Sequence, residues 1–418
     1  MREFHRPKSG YRESEYEDAY SLDAEGGKFA VADGATESSF SNIWAKALVS
    51  TFVENPPPMD MNDRQSVKNL LDAARKKWYR EIDWTSLPWF QKNKAVLGSY
   101  STFLGLQVDS PESPKRYRVL YDEASYENMF SNRKSMSYLD RWGVVSDMYA
   151  FLVSGKLSFE KYANYISKFN EDQDNTVVQE MSSQYQQLYL LDHKNKKLVD
   201  IAIKFYKTQL ERLGTMKKGE SVNDTILRGT LSARLAMIDP GFAAEVAKKF
   251  DSMENEVPDM RGAIAIAAAL HFSDVRKMAD KLSKVKSDED RVKIISAMGH
   301  IKGEESYNLV TKLIDEGKIK KQDITSYFSS LGVDPVNRDL AFKKLPEIAK
   351  RMSSVFVGTA TPSRLIFGVT PYIGLGRTKE MEDLLKRIST PLLERGIAQG
   401  LESLAINEKL LKAIKSSS

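Results

Sequence analysis

The chain has no cysteine among its 418 residues. Disulfides, thiolate zinc sites and cysteine nucleophiles are therefore excluded. Histidine is scarce: only His5, His193, His271 and His300 are present, and none lies four residues from another. Paired imidazoles one helical turn apart are what an H-E-x-x-H helix uses to grip zinc, so no zinc site of that kind is encoded. Long apolar runs are missing as well. The longest, GAIAIAAALHF at 262–272, is too short to cross a bilayer and reads as a buried helix. No membrane partner is expected. The start, MREFHRPKSG, lacks the apolar stretch of a secretory signal. With the absence of cysteine, this predicts a cytoplasmic protein. No basic block alternates with aromatics, and the net charge of +5 is spread through mixed runs such as KVKSDEDRVK. Nucleic acid is therefore not an expected partner.

What is present is ordinary globular composition, 41% hydrophobic and 28% charged, in a chain long enough for two or three cores. Its character changes near residue 120. Before that point, AYSLDA and KFAVAD alternate around EGG, which predicts a hairpin. SSFSNIWAKALVSTFVE and SVKNLLDAARKKWYREI have helical spacing. GSYSTFLGLQVD and KRYRVLY read as two further strands. From about 137 onward only helical periodicity remains. Val144, Val145, Met148, Phe151 and Leu152 form one stripe, stopped by Gly155. Phe159, Tyr162, Ala163, Ile166 and Phe169 form the next, begun by Ser158. Asp239-Pro240 and Asp334-Pro335 each place a capping Asp before a Pro, a helix-start pair. SDED at 287–290 predicts a cap whose helix ends at Gly299. Many short helices with short connections predict an array or solenoid.

The stretch EDAYSLDAEGGKFAVADGATES carries two aspartates around its hairpin. A turn centred on Glu25-Gly26 pairs Asp18 with Asp33, and one centred on Gly26-Gly27 sets them diagonal. Both registers put Asp18, Tyr20, Leu22, Phe29, Val31 and Asp33 on one face, expected to be buried, with the carboxylates at its open end. Adjacent carboxylates repel unless a hard cation lies between them, and Gly34 lets a backbone carbonyl approach the same ion. Two exposed turn acids explain the spacing equally well.

With GSYSTFLGL at 98–106, this stretch resembles the N-terminal half of the type 2C metal-dependent protein phosphatases, over about residues 3–120. That resemblance assigns metal binding to Asp18, Asp33 and the Gly34 carbonyl, and implies Mn²⁺ or Mg²⁺. The G-D-S turn and later acidic ligands of that family are missing after YRVL, so the implied site is incomplete.

A second resemblance begins at the same word. YRVLYDEASYENMF, SYLDRWGVVSDMYAFLVSGKLSFEKYANYISKF and several later segments are similar to the C-terminal helical domain of aminopeptidase N-type zinc aminopeptidases. The archaeal tricorn-interacting factors are among the proteins it resembles. The likeness covers about 116–418 and implies a HEAT-like helical bowl that contacts the distal part of a peptide but carries no zinc ligands. In TPSRLIFGVTPYIGLGRTKEMEDLL at 361–385, Arg364 and Tyr372 are the candidate peptide-binding residues. Arg suits a terminal carboxylate because its fork binds two oxygens.

The expected fold is therefore mainly α. A HEAT-like superhelix at 119–418 follows a smaller α+β unit at 1–118 resembling half of a phosphatase sandwich, the two joined as a chimera within YRVL. The expected function is non-catalytic peptide binding or scaffolding with a peptide or protein partner. The alternatives are a Mn²⁺- or Mg²⁺-dependent phosphatase, and an aminopeptidase acting with a catalytic module supplied in trans.

Overall fold

A computed structural model describes residues 18–23, 28–35, 38–54, 64–89, 92, 95, 98–107, 118–217 and 219–415. The chain forms two compact units, Met1–Tyr117 and Arg118–Ser418.

The first unit contains β1 (Ala19–Asp23), β2 (Lys28–Gly34), α1 (Ser41–Glu54), α2 (Arg64–Glu81) and β3 (Ser101–Gln107). The strands make one antiparallel sheet in the order β1-β2-β3. In the hairpin Ala19 faces Ala32 and Asp23 faces Lys28, which is the register of a turn centred on Glu25-Gly26. Continuing that register by one residue sets Asp18 opposite Asp33, and Asp33 in turn faces Thr102 of β3.

The buried face of this sheet is not the one the pattern predicts. Ala19, Ala30 and Ala32 are buried against Ala45, Val49 and Phe52 of α1. The face bearing Asp18, Tyr20, Val31 and Asp33 is the open one, with Tyr20 41% and Val31 51% exposed. The reason is steric. Small side chains let the helix approach the strands closely, and at Gly105 a Cβ would meet the Phe52 ring at 2.7 Å. Bulk on the other face could not permit that approach. α2 then packs on α1 through Trp44, Ala47, Leu48, Ala74 and Trp78.

The segment after β3 departs from the sequence reading. Among the described residues, Arg118–Tyr121 joins no sheet. Its polar groups go to a helix instead. Arg118 pairs with Asp147 at 3.0 Å, and the Val119 amide donates to the same carboxylate at 2.9 Å. Residues 115–117 lie outside the described residues.

The second unit is helical throughout its described residues. Its helices are α3 (Glu123–Ser131), α4 (Tyr138–Val153), α5 (Phe159–Ser167), α6 (Asn175–Leu191), α7 (Lys196–Leu213), α8 (Val222–Ile238), α9 (Pro240–Ala247) and α10 (Pro258–Phe272). They continue as α11 (Val275–Lys284), α12 (Asp288–Met298), α13 (Glu304–Asp315), α14 (Ile324–Val333), α15 (Arg338–Val355), α16 (Thr361–Ile373), α17 (Thr378–Ile388) and α18 (Glu394–Lys415). Local chemistry sets many of the starts. Ser158, Asp239 and Ser287 each accept a hydrogen bond from a backbone amide in the first turn of the helix they cap. Gly155 takes φ +76° just past the end of α4, a conformation glycine adopts at little cost. Asp334-Pro335 does not start its helix. Asp334 spends its carboxylate on the Val336 amide at 2.8 Å and on His300 Nδ1 at 2.7 Å, and α15 begins four residues later.

The packing has two layers. α4, α6, α8, α10, α12, α14, α16 and α18 each pack on the next in that row, and α18 returns against α4. The intervening helices lie over this row. One continuous core, running from Tyr126 to Ile414, fills the space between the layers. GAIAIAAALHF lies within α10, which buries Ala263, Ile264, Ala265, Ala267, Ala268 and Ala269. This alanine-rich helix packs closely on α8 and α12.

The α7–α8 connection is held by a clasp. Arg228 forks onto Glu220 at 2.6 and 2.7 Å and donates to the Gly214 carbonyl at 2.9 Å. Only about a tenth of each side chain is exposed, 8% for Arg228 and 10% for Glu220. The Arg228 fork is the first cause holding the Glu220 carboxyl down at about 2. A carboxylate depressed in the folded state adds stability above its unfolded pKa, near 4.5 here, and loses it as pH falls through about 2. Wild type is therefore expected to melt well above Glu220→Gln at pH 6, with the gap closing toward pH 2. Calorimetric melts across that range test this, and a gap independent of pH would refute the clasp.

Candidate functional site

The C-terminal end of α6 meets the start of α15. Arg338, in the first turn of α15, donates from Nη2 to the Leu190 carbonyl at the end of α6. Its Nε is buried without a hydrogen-bond partner. No carboxylate pairs with Arg338 among the described residues, although Asp334, Asp192 and the Tyr372 hydroxyl act on it from farther away. Burial lowers the pKa of this guanidinium. It remains a cation, because the arginine pKa starts far above neutral.

Tyrosines gather at the same place. Glu180 of α6 and Tyr372 of α16 both lie within electrostatic reach of Tyr149 of α4. Tyr149 donates to Gln187 Oε1 of α6 at 2.8 Å. Burial, chiefly, raises the Tyr149 and Tyr372 pKa values, and Arg338 opposes the shift at Tyr372. Both are therefore neutral hydroxyls at physiological pH, able to donate or accept. Tyr189 donates to the Met237 carbonyl at 2.9 Å, and its pKa is pushed up to about 12 by burial and then by Asp334. Arg338 and Tyr372, within electrostatic reach of each other, can offer an anionic group a guanidinium N–H and a hydroxyl.

The candidates named from sequence are placed as follows. Tyr372 sits in the last turn of α16, half-buried against the main core. Arg364 is exposed two turns earlier on the same helix, with Gly368 between them at the i+4 position. The structure thus sets them along one flank of α16 rather than side by side. Pro371 does not break the helix, as its position before Tyr372 suggests. α16 runs through it to Ile373, and Asn407 Nδ2 donates to the Pro371 carbonyl at 3.2 Å. Pro371 forgoes the ladder bond to the Phe367 carbonyl, and the helix is held there by its packing on α14, α15 and α18.

Arg338 was not singled out in the sequence. It follows two turn residues and carries no motif. The one available signal is an arginine placed at a helix start, where the macrodipole favours acids instead.

In the first unit, Asp33 and Gly34 end β2 and Asp18 precedes β1. The Asp33 carbonyl accepts from Ser101 Oγ at 2.8 Å. Among the described residues no three or more His, Asp or Glu side chains gather where a metal ion fits. His193, His271 and His300 fall on separate connections or helix ends, and His300 is spent on Asp334. His5 lies outside the described residues.

Residues 116–406 match the ERAP1-like C-terminal domain family. Tricorn protease-interacting factor F2 of Thermoplasma volcanium is 38% identical over 294 residues, covering 70% of this chain and 37% of the relative. Leucyl aminopeptidase of Saccharolobus solfataricus is 31% identical over 299 residues, again 70% of this chain and 37% of the relative. Aminopeptidase M1 of Arabidopsis thaliana is 22% identical over 320 residues, 72% of this chain and 36% of the relative. The chain thus spans little more than a third of the length of these relatives, and residues 1–115 lie outside the family match.

Proposed function

The chain belongs to the ERAP1-like C-terminal domain family over residues 116–406, and from that premise we propose that its helical unit is a non-catalytic peptide-binding scaffold. The observation that carries this reading is Arg338, a half-buried guanidinium with no carboxylate partner among the described residues, within reach of the Tyr372 hydroxyl. A peptide α-carboxylate supplies what that pair lacks. Arg364, farther along α16, would meet a part of the peptide remote from its terminus. The relatives named as aminopeptidases support a peptide as the ligand class.

Catalysis is not part of the proposal. No two histidines have zinc-helix spacing, so an aminopeptidase reaction requires a zinc module from elsewhere. The type 2C phosphatase reading has in its favour the register that sets Asp18 opposite Asp33. Two carboxylates and the Gly34 carbonyl are nevertheless too few to hold the paired Mn²⁺ or Mg²⁺ ions of that chemistry, so no phosphatase activity is proposed.

The test uses a short peptide with a free C-terminus and its amidated twin. Amidation is expected to weaken binding to wild type about three- to tenfold, the range of one charge-assisted contact in a half-solvated site. Arg338→Gln and Tyr372→Phe are expected to erase or halve that preference, and Arg364→Ala to leave it unchanged while weakening both peptides alike. Calorimetric titration of the eight combinations, with melts to verify folding, decides the matter. Equal affinity of both peptides for wild type would overturn the site.

A further inference from the structure

The first unit has a feature that peptide binding by the second does not use. Described residues of α1 and α2, with Trp84, Lys92, Ala95 and Gly98–Tyr100, line a cavity of about 660 Å³. Its walls are rings: Trp44, Trp78, Tyr79, Trp84 and Tyr100. Trp78 meets Trp44 and Trp84 edge-on, at centroid distances of 6.4 and 5.8 Å. Tyr79 stacks on Trp84 at 4.7 Å with the planes 28° apart. These geometries are the favourable ones for aromatic pairs. Both inner indoles have satisfied N–H groups. Trp78 donates to the Phe40 carbonyl at 3.2 Å, and Trp84 to the Tyr79 carbonyl at 2.8 Å. Ring faces and edges are therefore what the walls offer.

A packed core leaves few voids larger than one water molecule, whose share of liquid volume is about 30 Å³. The space beside these rings is many times that, and it opens to solvent past Tyr79 and Tyr100, which are 61% and 66% exposed. Exposed aromatic walls around a wide cavity are a binding site's pattern, not a folding core's.

Charge at the lining fixes the second half of the ligand. Arg75 and Lys92 both line the cavity, and no acidic side chain is among its described lining residues. Lys92 makes no ion pair among the described residues. Among the described residues Arg75 pairs with Asp72 alone, at 3.0 Å, with both side chains widely exposed. An i,i+3 surface pair of that kind contributes little and exchanges readily. The ring walls need a flat apolar partner, and the two cations need an anion.

We propose that this cavity binds a flat aromatic ring bearing an anionic group, with the ring between Trp84 and Tyr100 and the anion on Lys92 and Arg75. An aromatic carboxylic acid and a nucleoside monophosphate share this chemistry, and the probes separate them.

The experiment titrates the full chain with 2-naphthoate, neutral 2-naphthol, AMP and adenosine by calorimetry, for wild type, Tyr100→Ser, Tyr79→Ala and Lys92→Gln. Tyr79 and Tyr100 are largely exposed, so these variants keep the fold, and near-UV circular dichroism checks that they do. At least one anionic probe is expected to bind about tenfold more tightly than its neutral partner, as one charge-assisted contact supplies. Lys92→Gln is expected to remove most of that advantage and leave the neutral probe within about twofold. Tyr100→Ser or Tyr79→Ala is expected to weaken both members of the pair about three- to tenfold, the range of one lost stacking contact. Preference for 2-naphthoate identifies an aromatic acid as the ligand class, and preference for AMP identifies a nucleotide. The proposal fails if neither anion binds at millimolar concentration, if neutral and anionic probes bind alike, or if all three variants bind as wild type does.

Discussion

Gly396→Ala is expected to destabilise the helical unit by about 3 kcal/mol or more, while Gly368→Ala stabilises it by about 0.5–1 kcal/mol. Both glycines are helical, and the two helices pack on each other along much of their length. What differs is what lies beyond the missing Cβ. At Gly396 of α18 the new carbon would stand 2.0 Å from the Ser363 carbonyl oxygen and 2.8 Å from Ser363 Oγ, which accepts the Gly396 amide. One turn on, a Cβ at Gly400 would lie 2.8 Å from that of Thr370. Backbone cannot step aside as a flexible side chain can, so α16 and α18 must part. α18 also packs against α4, so its displacement loosens the closure of the row. At Gly368 a Cβ would find nothing within 4 Å, and alanine gains through helix propensity alone. Paired melts provide the test. A drop of roughly 6–12 °C for Gly396→Ala, from about 2–4 °C per kcal/mol in domains of a few hundred residues, should contrast with a small rise for Gly368→Ala. Equal shifts would show that the close approach is not limiting.

That contrast also marks where sequence reading stops. A glycine pair at i and i+4 is visible in RGIAQGLESL, but nothing in the string says which helix it meets. Signals that act within one turn were legible. Ser158, Asp239 and Ser287 cap the helices they precede because an N-cap needs only its own side chain and the next two or three amides. The hairpin register was legible to within one residue for the same reason. Readings that depended on a partner failed. Asp334 looked like a helix cap, yet it turns to His300, in the turn that follows α12. Arg118–Tyr121 looked like a strand, but a strand needs a neighbour, and Asp147 takes its donors instead. The sheet's alternation defines two faces, and the bulky one expected to be buried is the one α1 leaves open. Arg338 was invisible because its contact with Leu190 joins residues 148 apart in the chain, a property of the whole array. The two-layer helical array itself was legible through family resemblance, which carries long-range information that periodicity lacks.

The largest difference in local stability is expected between the two units of the intact chain. In hydrogen exchange, amides of β1, β2 and β3 should exchange at least about a hundredfold faster than those of α10 and α12, because local opening free energies follow buried contact. Among the described residues of the first unit, buried apolar side chains gather in two small clusters, one under the sheet and one between α1 and α2. Its three strands leave one outer edge each on β1 and β3 without a strand partner among the described residues, and the sheet's open face carries exposed Tyr20, Val31 and Leu104. A short sheet covered on one side has few ways to resist local opening. α10 and α12, by contrast, lie within the core that runs continuously through the second unit, and their inward residues are fully buried. Opening an amide there requires neighbouring helices to part. Each hundredfold difference in exchange corresponds to about 2.8 kcal/mol of opening free energy, since 1.4 kcal/mol is a factor of ten. Adding an aromatic anion that occupies the cavity beside Trp84 should slow exchange in α1 and α2 and leave α10 and α12 unchanged, because a ligand protects the unit that binds it. Uniform protection across both units would mean that the first is held by more than its own small core.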